Sequence, residues 1–233
     1  MGYILLEGGA EFGGRMADPD RQAMRLAGGP DVPISIIPAA AAPDNNHHRA
    51  GRKGVGWFQG LGATNVSVLL LIDSASANDP AIVETLAKSG LIFLLGGFPH
   101  YLGQTLSGSR SWQAMLTAYL SGAVIAGSSA GAMVLCEYYY DPVSSQVLKG
   151  LNLVEGICIL PHHNTYGKDW VPQLKKKLPD IVLVGIDEET GALKDASQDD
   201  WQVYGKGKIT LYHSGHVDEF EAGQAFALEN GVK

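Results

Sequence analysis

Short, nearly uninterrupted apolar runs alternate along the chain with longer segments whose apolar residues recur at helical spacing. Tyr3 to Leu6, Ile34 to Ile37, Val66 to Ile72, Leu91 to Leu95 and Ala123 to Ala126 predict strands buried on both faces. Asp79-Pro80 opens a helix with proline in its first turn; Ile82, Val83, Leu86 and Ala87 form its apolar stripe, and Gly90 closes it. Ser111 to Leu120 predicts another, with Trp112, Met115, Leu116 and Tyr119 facing the core. This βαβα alternation implies an α/β fold, a doubly wound and mostly parallel sheet flanked by helices, with ligands at the carboxyl ends of its strands. The last third predicts a strand at Ile157 to Leu160, a helix at Trp170 to Leu178 and a strand at Ile181 to Ile186. Trp201 to Tyr204 and Lys208 to Tyr212, joined by Gly205-Lys206-Gly207, then predict a C-terminal β-hairpin on the sheet edge. No repeat or linker interrupts the pattern, so a single α/β domain over residues 1–233 is expected.

Composition narrows the function classes. A chain of 233 residues can bury on the order of 70% of its unfolded surface without staples. The 24 acidic and 17 basic side chains give a net charge of −7. The longest basic run, Lys175 to Lys177, suits the solvated face of a helix, so nucleic acid is a poor partner. Met1 to Gly9 lacks a basic n-region and meets Glu7 early, unlike a signal peptide. No apolar stretch is long enough to span a bilayer, so no membrane partner is expected. Cys136 and Cys158 have neither disulfide-framework nor metal spacing and suit buried, reduced thiols in a cytoplasmic protein. Glycine is in excess, 30 of 233 residues, roughly twice the usual share. Without a Gly-X-Y period that excess signals turns and close backbone approaches.

The chemistry concentrates at strand ends. Val124 to Ala126 runs into Gly127-Ser128-Ser129-Ala130-Gly131 and then a helical pattern, the context of a nucleophile elbow that exposes the Ser129 hydroxyl. A serine nucleophile needs a base and an orienting acid. Leu160-Pro161-His162-His163-Asn164 places His162 just past a predicted strand. Val184-Gly185-Ile186-Asp187-Glu188 ends another, offering Glu188 or Asp187. Leu95-Gly96-Gly97-Phe98 ends the strand before the nucleophile's, where the Gly97 amide can join that of Ala130 as an oxyanion donor. The chain order Ser, His, Glu differs from the Ser, Asp, His of α/β-hydrolases.

Together, Leu95-Gly96-Gly97, Gly127 to Ala132, the strand ending at His162 and Gly185-Ile186-Asp187-Glu188 resemble the cyanophycinase and dipeptidase E family of serine peptidases. The resemblance spans roughly Leu91 to Leu211. It implies a flavodoxin-like sheet of the class I glutamine amidotransferase type, with serine at the elbow. It also implies Ser129 as nucleophile, His162 as base and Glu188 as acid, with Asp141 the alternative acid in the dipeptidase pattern. Phe98 occupies the position where both relatives carry an amide residue that holds substrate, and His163 is a further candidate for substrate contact.

The expected activity is hydrolysis of an amide bond in a small peptide-like substrate, with no metal or organic cofactor; a homodimer is compatible with the resemblance. A relative that keeps the elbow without catalysis is the alternative. So is a metal-binding module built on His213-Ser214-Gly215-His216-Val217-Asp218, whose two histidines and carboxylate have ligand spacing.

Overall fold

The computed structural model describes residues 1–195 and 200–228. In chain order the elements are β1 (Tyr3–Glu7), α1 (Ala17–Leu26), β2 (Ile34–Ile37), α2 (His47–Gly60), β3 (Val66–Val68), α3 (Pro80–Ala87) and β4 (Leu91–Leu94). There follow α4 (Pro99–Leu106), α5 (Arg110–Leu120), β5 (Val124–Ser128), α6 (Ala130–Leu135), β6 (Cys136–Asp141), β7 (Gln146–Lys149) and β8 (Val154–Leu160). The remainder is α7 (Val171–Lys177), β9 (Val182–Ile186), β10 (Thr190–Asp195), β11 (Asp200–Gly205), β12 (Lys208–Tyr212), β13 (Val217–Glu221) and β14 (Ala225–Ala227).

The strands form two sheets. The first has the order β14-β11-β10-β1-β5-β4-β2-β3. Its β1, β5, β4, β2 and β3 run parallel, and β10, β11 and β14 continue antiparallel. The second has the order β13-β12-β9-β8-β6-β7 with β6, β8 and β9 parallel. Alternating side chains build the layers. Ile4 and Leu6 of β1, Ile92 and Leu94 of β4, and Ile125 of β5 pack with Ile157 and Ile159 of β8 and Val184 of β9. α5 and α6 contribute Trp112, Met115 and Met133 to that cluster. Leu5, Phe93 and Ala126 face the opposite way, onto Phe58 of α2 and Ala23 and Met24 of α1. Cys158, Leu160 and Leu183 cover the far face of the second sheet with Leu174 of α7. Each such large aliphatic side chain contributes about 1.5–3 kcal/mol on burial.

Local rules explain the helices that were anticipated. Asp79 caps α3 by accepting from the amides of Ala81 and Ile82, with Pro80 behind it, and Ser109 caps α5 through the Trp112 amide. α1 and α2 were not anticipated. α2 carries Gly51, Gly54, Gly56 and Gly60, which obscure its periodicity. Two of them are there for packing: a Cβ at Gly51 would lie 2.7 Å from Val68 Cγ1, and one at Gly54 would lie 2.8 Å from the Phe12 ring. Glycine lets α2 sit directly on the sheet.

Three expectations need correction, the first being the strand at Val66 to Ile72, which is confined to Val66–Val68 and only partly buried. The strands carrying His162 and Glu188 belong to a second sheet rather than to the edge of one sheet. The chain also forms its hairpin one strand later than expected. β11 pairs with β10 and β14 in the first sheet, whereas β12 pairs with β9 and β13 in the second. Gly205 to Gly207 therefore turns a corner between sheets, because Ile209 and Leu211 fill the shared core while Trp201 and Val203 complete it from the other sheet. Among the described residues no helix is long and apolar enough to cross a membrane. Both cysteines are buried and unpaired, and burial pushes their thiols up, Cys158 to about 12.

The corner depends on Gly205, which has φ +104° and where a Cβ would lie 2.1 Å from the Glu189 carbonyl oxygen. Gly205→Ala is expected to lower the unfolding free energy by at least about 1–3 kcal/mol. Urea denaturation measures it, and an unchanged midpoint would contradict the corner.

Candidate active site

The elbow forms where β5 ends. β5 lies between β4 and β1, with Leu94 and Leu6 both in register with Gly127. The loops after β4 and β1 therefore flank the turn after Ser128. That turn is tight: a Cβ at Gly127 would lie 2.5 Å from the Gly131 backbone, and one at Gly131 would lie 2.2 Å from the Leu94 carbonyl oxygen. Glycine is required at both positions. Ser129 bears the strain, with φ 49° and ψ −112°, a conformation costing on the order of 1–3 kcal/mol for a residue with a side chain. It is held there by its own amide, which donates to the Glu7 carbonyl at 3.0 Å.

The second sheet brings His162 and Glu188. β8 and β9 are parallel neighbours, Leu160 in register with Gly185, so their carboxyl ends emerge side by side. His162 follows the first and Glu188 the second. Ser129 Oγ lies 3.0 Å from His162 Nε2, and His162 Nδ1 lies 2.8 Å from Glu188 Oε1. A carboxylate only accepts, so Nδ1 carries the proton and Nε2 is free to accept from the serine hydroxyl. Glu188 is positioned by its amide, which donates to Asn164 Oδ1 at 3.0 Å. The Tyr166 ring stacks on His162 at 5.0 Å, and burial, with Glu188 nearby, pushes its phenol up.

The sheets meet through the glycine end of β1. His162 and Glu189 donate their amides to the Gly8 and Gly9 carbonyls at 2.7 and 3.3 Å, and Gly8 donates to Thr190. A Cβ at Gly9 would lie 2.3 Å from the His162 ring, and one at Gly8 would lie 2.1 Å from the Asp187 carbonyl oxygen.

Other sequence candidates are distributed differently. The Gly96-Gly97 turn lies against the elbow: a Cβ at Gly96 would lie 3.3 Å from Ser129 Cβ. Gly97 has φ +139° and would clash with Ala40, while Ala130 opens α6 directly after Ser129. Phe98 is half-buried and its amide donates to Ala40. His163 is not brought to the serine. It is buried, with Nε2 2.9 Å from the Tyr212 hydroxyl and Nδ1 3.5 Å from Asp187. Those contacts and the Lys208 amide hold the Asp187 carboxyl below its usual range although burial opposes them. Asp141 ends β6 on the same sheet edge, but its carboxylate accepts from the amides of Val143 and Ser144 and from the Ser144 hydroxyl. It caps the β6–β7 turn and makes no bond to His162.

A group of acids behind the elbow escaped sequence reasoning. Glu11 Oε2 accepts from the Ser128 hydroxyl at 2.9 Å, so Ser128 is engaged and only Ser129 meets the histidine. Deeper, Glu7 and Asp20 are fully buried. The Trp57 indole N–H donates to Asp20 Oδ2 at 2.7 Å, while both Glu7 carboxyl oxygens and Asp20 Oδ1 have no hydrogen-bond partner among the described residues. Burial, then the charges of Asp20 and Glu11, push the Glu7 carboxyl well up; burial also raises Asp20, to about 7, against the Trp57 bond. The signal was Glu7 itself, a charged residue ending an otherwise apolar strand.

A strained elbow of this kind points to hydrolases that attack through serine. More particularly, the model of peptidase family S51 matches residues 4–194, and the chain belongs to that family. It is a serine-type peptidase. The cyanophycinase of Synechococcus elongatus is 29% identical over 222 residues, covering 90% of this chain and 67% of the relative. That of Geminocystis herdmanii is 27% identical, covering 99% and 84%. The crystal structure of a peptidase from an acI-B1 Actinobacterium superposes with a TM-score of 0.87 at 29% identity, covering 98% of this chain and 97% of that one. A putative peptidase E from Listeria monocytogenes EGD-e shares the fold, with a TM-score of 0.66 at 17% identity over 88% of this chain and 98% of its own.

The buried acids generate a pH dependence. Unfolded, both carboxyls titrate at ordinary values, so above those values the native state holds protons the unfolded chain has released. The stability is full at the acid end of that window and falls as pH rises through about 7. Each extra proton sets a slope of about 1.4 kcal/mol per pH unit. Glu7→Gln, which removes one titrating carboxyl at nearly the same size, is expected to reduce the slope. Urea denaturation between about pH 5 and 8 measures it; equal slopes in both proteins would contradict the assignment.

Proposed function

We propose that the protein hydrolyses an amide bond in a small peptide-like substrate through Ser129, His162 and Glu188. The supporting observation is the relay from Ser129 Oγ to His162 Nε2 at 3.0 Å and from Nδ1 to Glu188 at 2.8 Å, closed across two sheets onto a strained elbow.

In this mechanism Ser129 Oγ attacks the scissile carbonyl carbon while His162 Nε2 takes its proton. Glu188 keeps the imidazole in the required tautomer and stabilises the imidazolium that forms. The carbonyl oxygen, now an oxyanion, accepts from the Gly97 and Ala130 amides, a contribution of about 3–4 kcal/mol per donor in comparable sites. Collapse breaks the C–N bond, and His162 returns the proton to the leaving amine. Water, deprotonated by His162, then attacks the acyl ester and frees Ser129. No step needs a metal or organic cofactor. With His163 committed to Tyr212 and Asp187, Phe98 is the remaining sequence candidate for contact with substrate side chains. Its aromatic ring, in place of an amide, favours substrates other than those of the named relatives.

A panel of dipeptides with N-terminal residues in α and isoaspartyl linkage tests this. Ser129→Ala is expected to keep the thermal midpoint and lose more than about 10³-fold in kcat. Glu188→Gln is expected to lose about 10²–10⁴-fold, and Asp141→Asn to keep wild-type kcat. Full turnover by Ser129→Ala would contradict the mechanism, and a loss confined to Asp141→Asn would move the acid to that residue.

A further inference from the structure

The turn that joins β12 to β13 carries a second cluster of chemistry-bearing side chains. His213 and His216 flank Ser214-Gly215, and the turn is closed by the His213 amide, which donates to the His216 carbonyl at 3.1 Å. The strands below pair Tyr212 with Val217 and Leu211 with Asp218. The two imidazoles stack at 4.3 Å with their planes 10° apart, and both Nε2 atoms face the Asp218 carboxylate. Asp218 Oδ2 lies 3.0 Å from His216 Nε2 and 3.5 Å from His213 Nε2.

We propose that this turn is a transition-metal site in which His213 Nε2, His216 Nε2 and Asp218 Oδ2 bind one borderline divalent cation of the zinc class. Ligands held about 2.0–2.1 Å from a tetrahedral zinc ion stand about 3.3–3.4 Å apart. The two measured separations bracket that value, and all three donor atoms lie within 4.8 Å of one another. The stacked rings lie in nearly parallel planes, so closing both lone pairs on one ion requires an imidazole to rotate about its side-chain torsions. The mixed imidazole and carboxylate set favours zinc, cobalt, nickel or copper over magnesium and calcium, which prefer oxygen ligands. His213 is the anchor, its side chain 13% exposed, while His216 at 61% and Asp218 at 45% leave one side open for entry and for a water ligand.

The site lies away from Ser129. Tyr212 pairs with Leu183 near the start of β9, whereas Glu188 follows the end of that strand. The cation therefore fastens the β12–β13 turn and takes no part in amide hydrolysis, and this inference stands or falls separately from the peptidase mechanism. Binding to the folded chain stabilises it by mass action.

The test uses tag-free protein stripped with EDTA and titrated with Co²⁺, then with competing Zn²⁺. The expected result is saturable visible d–d absorption at one equivalent per chain, displaced by Zn²⁺. His216→Ala and Asp218→Asn are each expected to weaken binding at least about tenfold, since even outer-shell changes cost that much. Zn²⁺ should raise the thermal midpoint of the wild type and not of either variant, while EDTA leaves dipeptide turnover unchanged. His216 is exposed and Asp218 half-buried, and equal midpoints without metal verify that the variants fold. Absence of saturable binding, or binding undiminished in His216→Ala, would overturn the proposal; the latter would place the ion elsewhere, for instance at His47-His48.

Discussion

The closeness with which the glycine end of β1 meets His162 is the constraint on which the site rests. Ser129 and His162 are carried by different sheets, and neither sheet alone brings the two together. The Gly8 carbonyl binds the His162 amide and the Gly9 carbonyl the Glu189 amide, so backbone hydrogen bonds join the sheets at the catalytic edge. The junction leaves no space for side chains: a Cβ at Gly9 would lie 2.3 Å from the imidazole. Any larger residue there would push His162 away from Ser129, and a displacement of about 1 Å costs on the order of 10²-fold in rate. The same strand presents the Glu7 carbonyl to the Ser129 amide, so β1 positions both Ser129 and His162.

That arrangement stores free energy unfavourable to folding at several points. Ser129 occupies positive φ, and so does His162 at 51°. Glu7 and Asp20 are carboxyls removed from water. These costs are offset by the apolar layer between the sheets, where Ile4, Leu6, Leu94 and Ile125 interlock with Ile159 and Val184. Strain at the elbow and acids behind it are local departures from what stabilises a fold, and such departures concentrate where function is carried.

Much of this was legible in the sequence, for physical reasons. The central strands are apolar on both faces because layers cover both, which makes them conspicuous runs. Ser129, His162 and Glu188 each follow such a run. The adjacency of His162 and Glu188 follows from parallel pairing of β8 and β9, whereas Ser129 meets His162 across the junction between the sheets. The rest depended on information that local patterns do not hold. α2 was hidden because its contact with the sheet requires glycines in place of a hydrophobic stripe. The hairpin was misplaced because Gly205 to Gly207 satisfies the local signature of a hairpin, while long-range pairing with β9 and β14 decides which sheet each strand joins. Asp141 and His163 sit at the right edge but turn to other partners, the Ser144 turn and Tyr212, and chain position cannot distinguish an edge from an orientation. Glu11 and Asn164 act through single hydrogen bonds from loops and have no motif to announce them.

The central claim is that the strained serine, and not its neighbour, is the reacting group. Ser128 and Ser129 are adjacent and chemically identical, and only their environments differ: one hydroxyl is donated to Glu11, the other meets His162. Covalent labelling with a serine-directed phosphonate, followed by peptide mapping by mass spectrometry, separates them directly. The account predicts one adduct per chain, on Ser129, lost in His162→Ala. An adduct on Ser128, or labelling of Ser129 that is unaffected by removing His162, would contradict it.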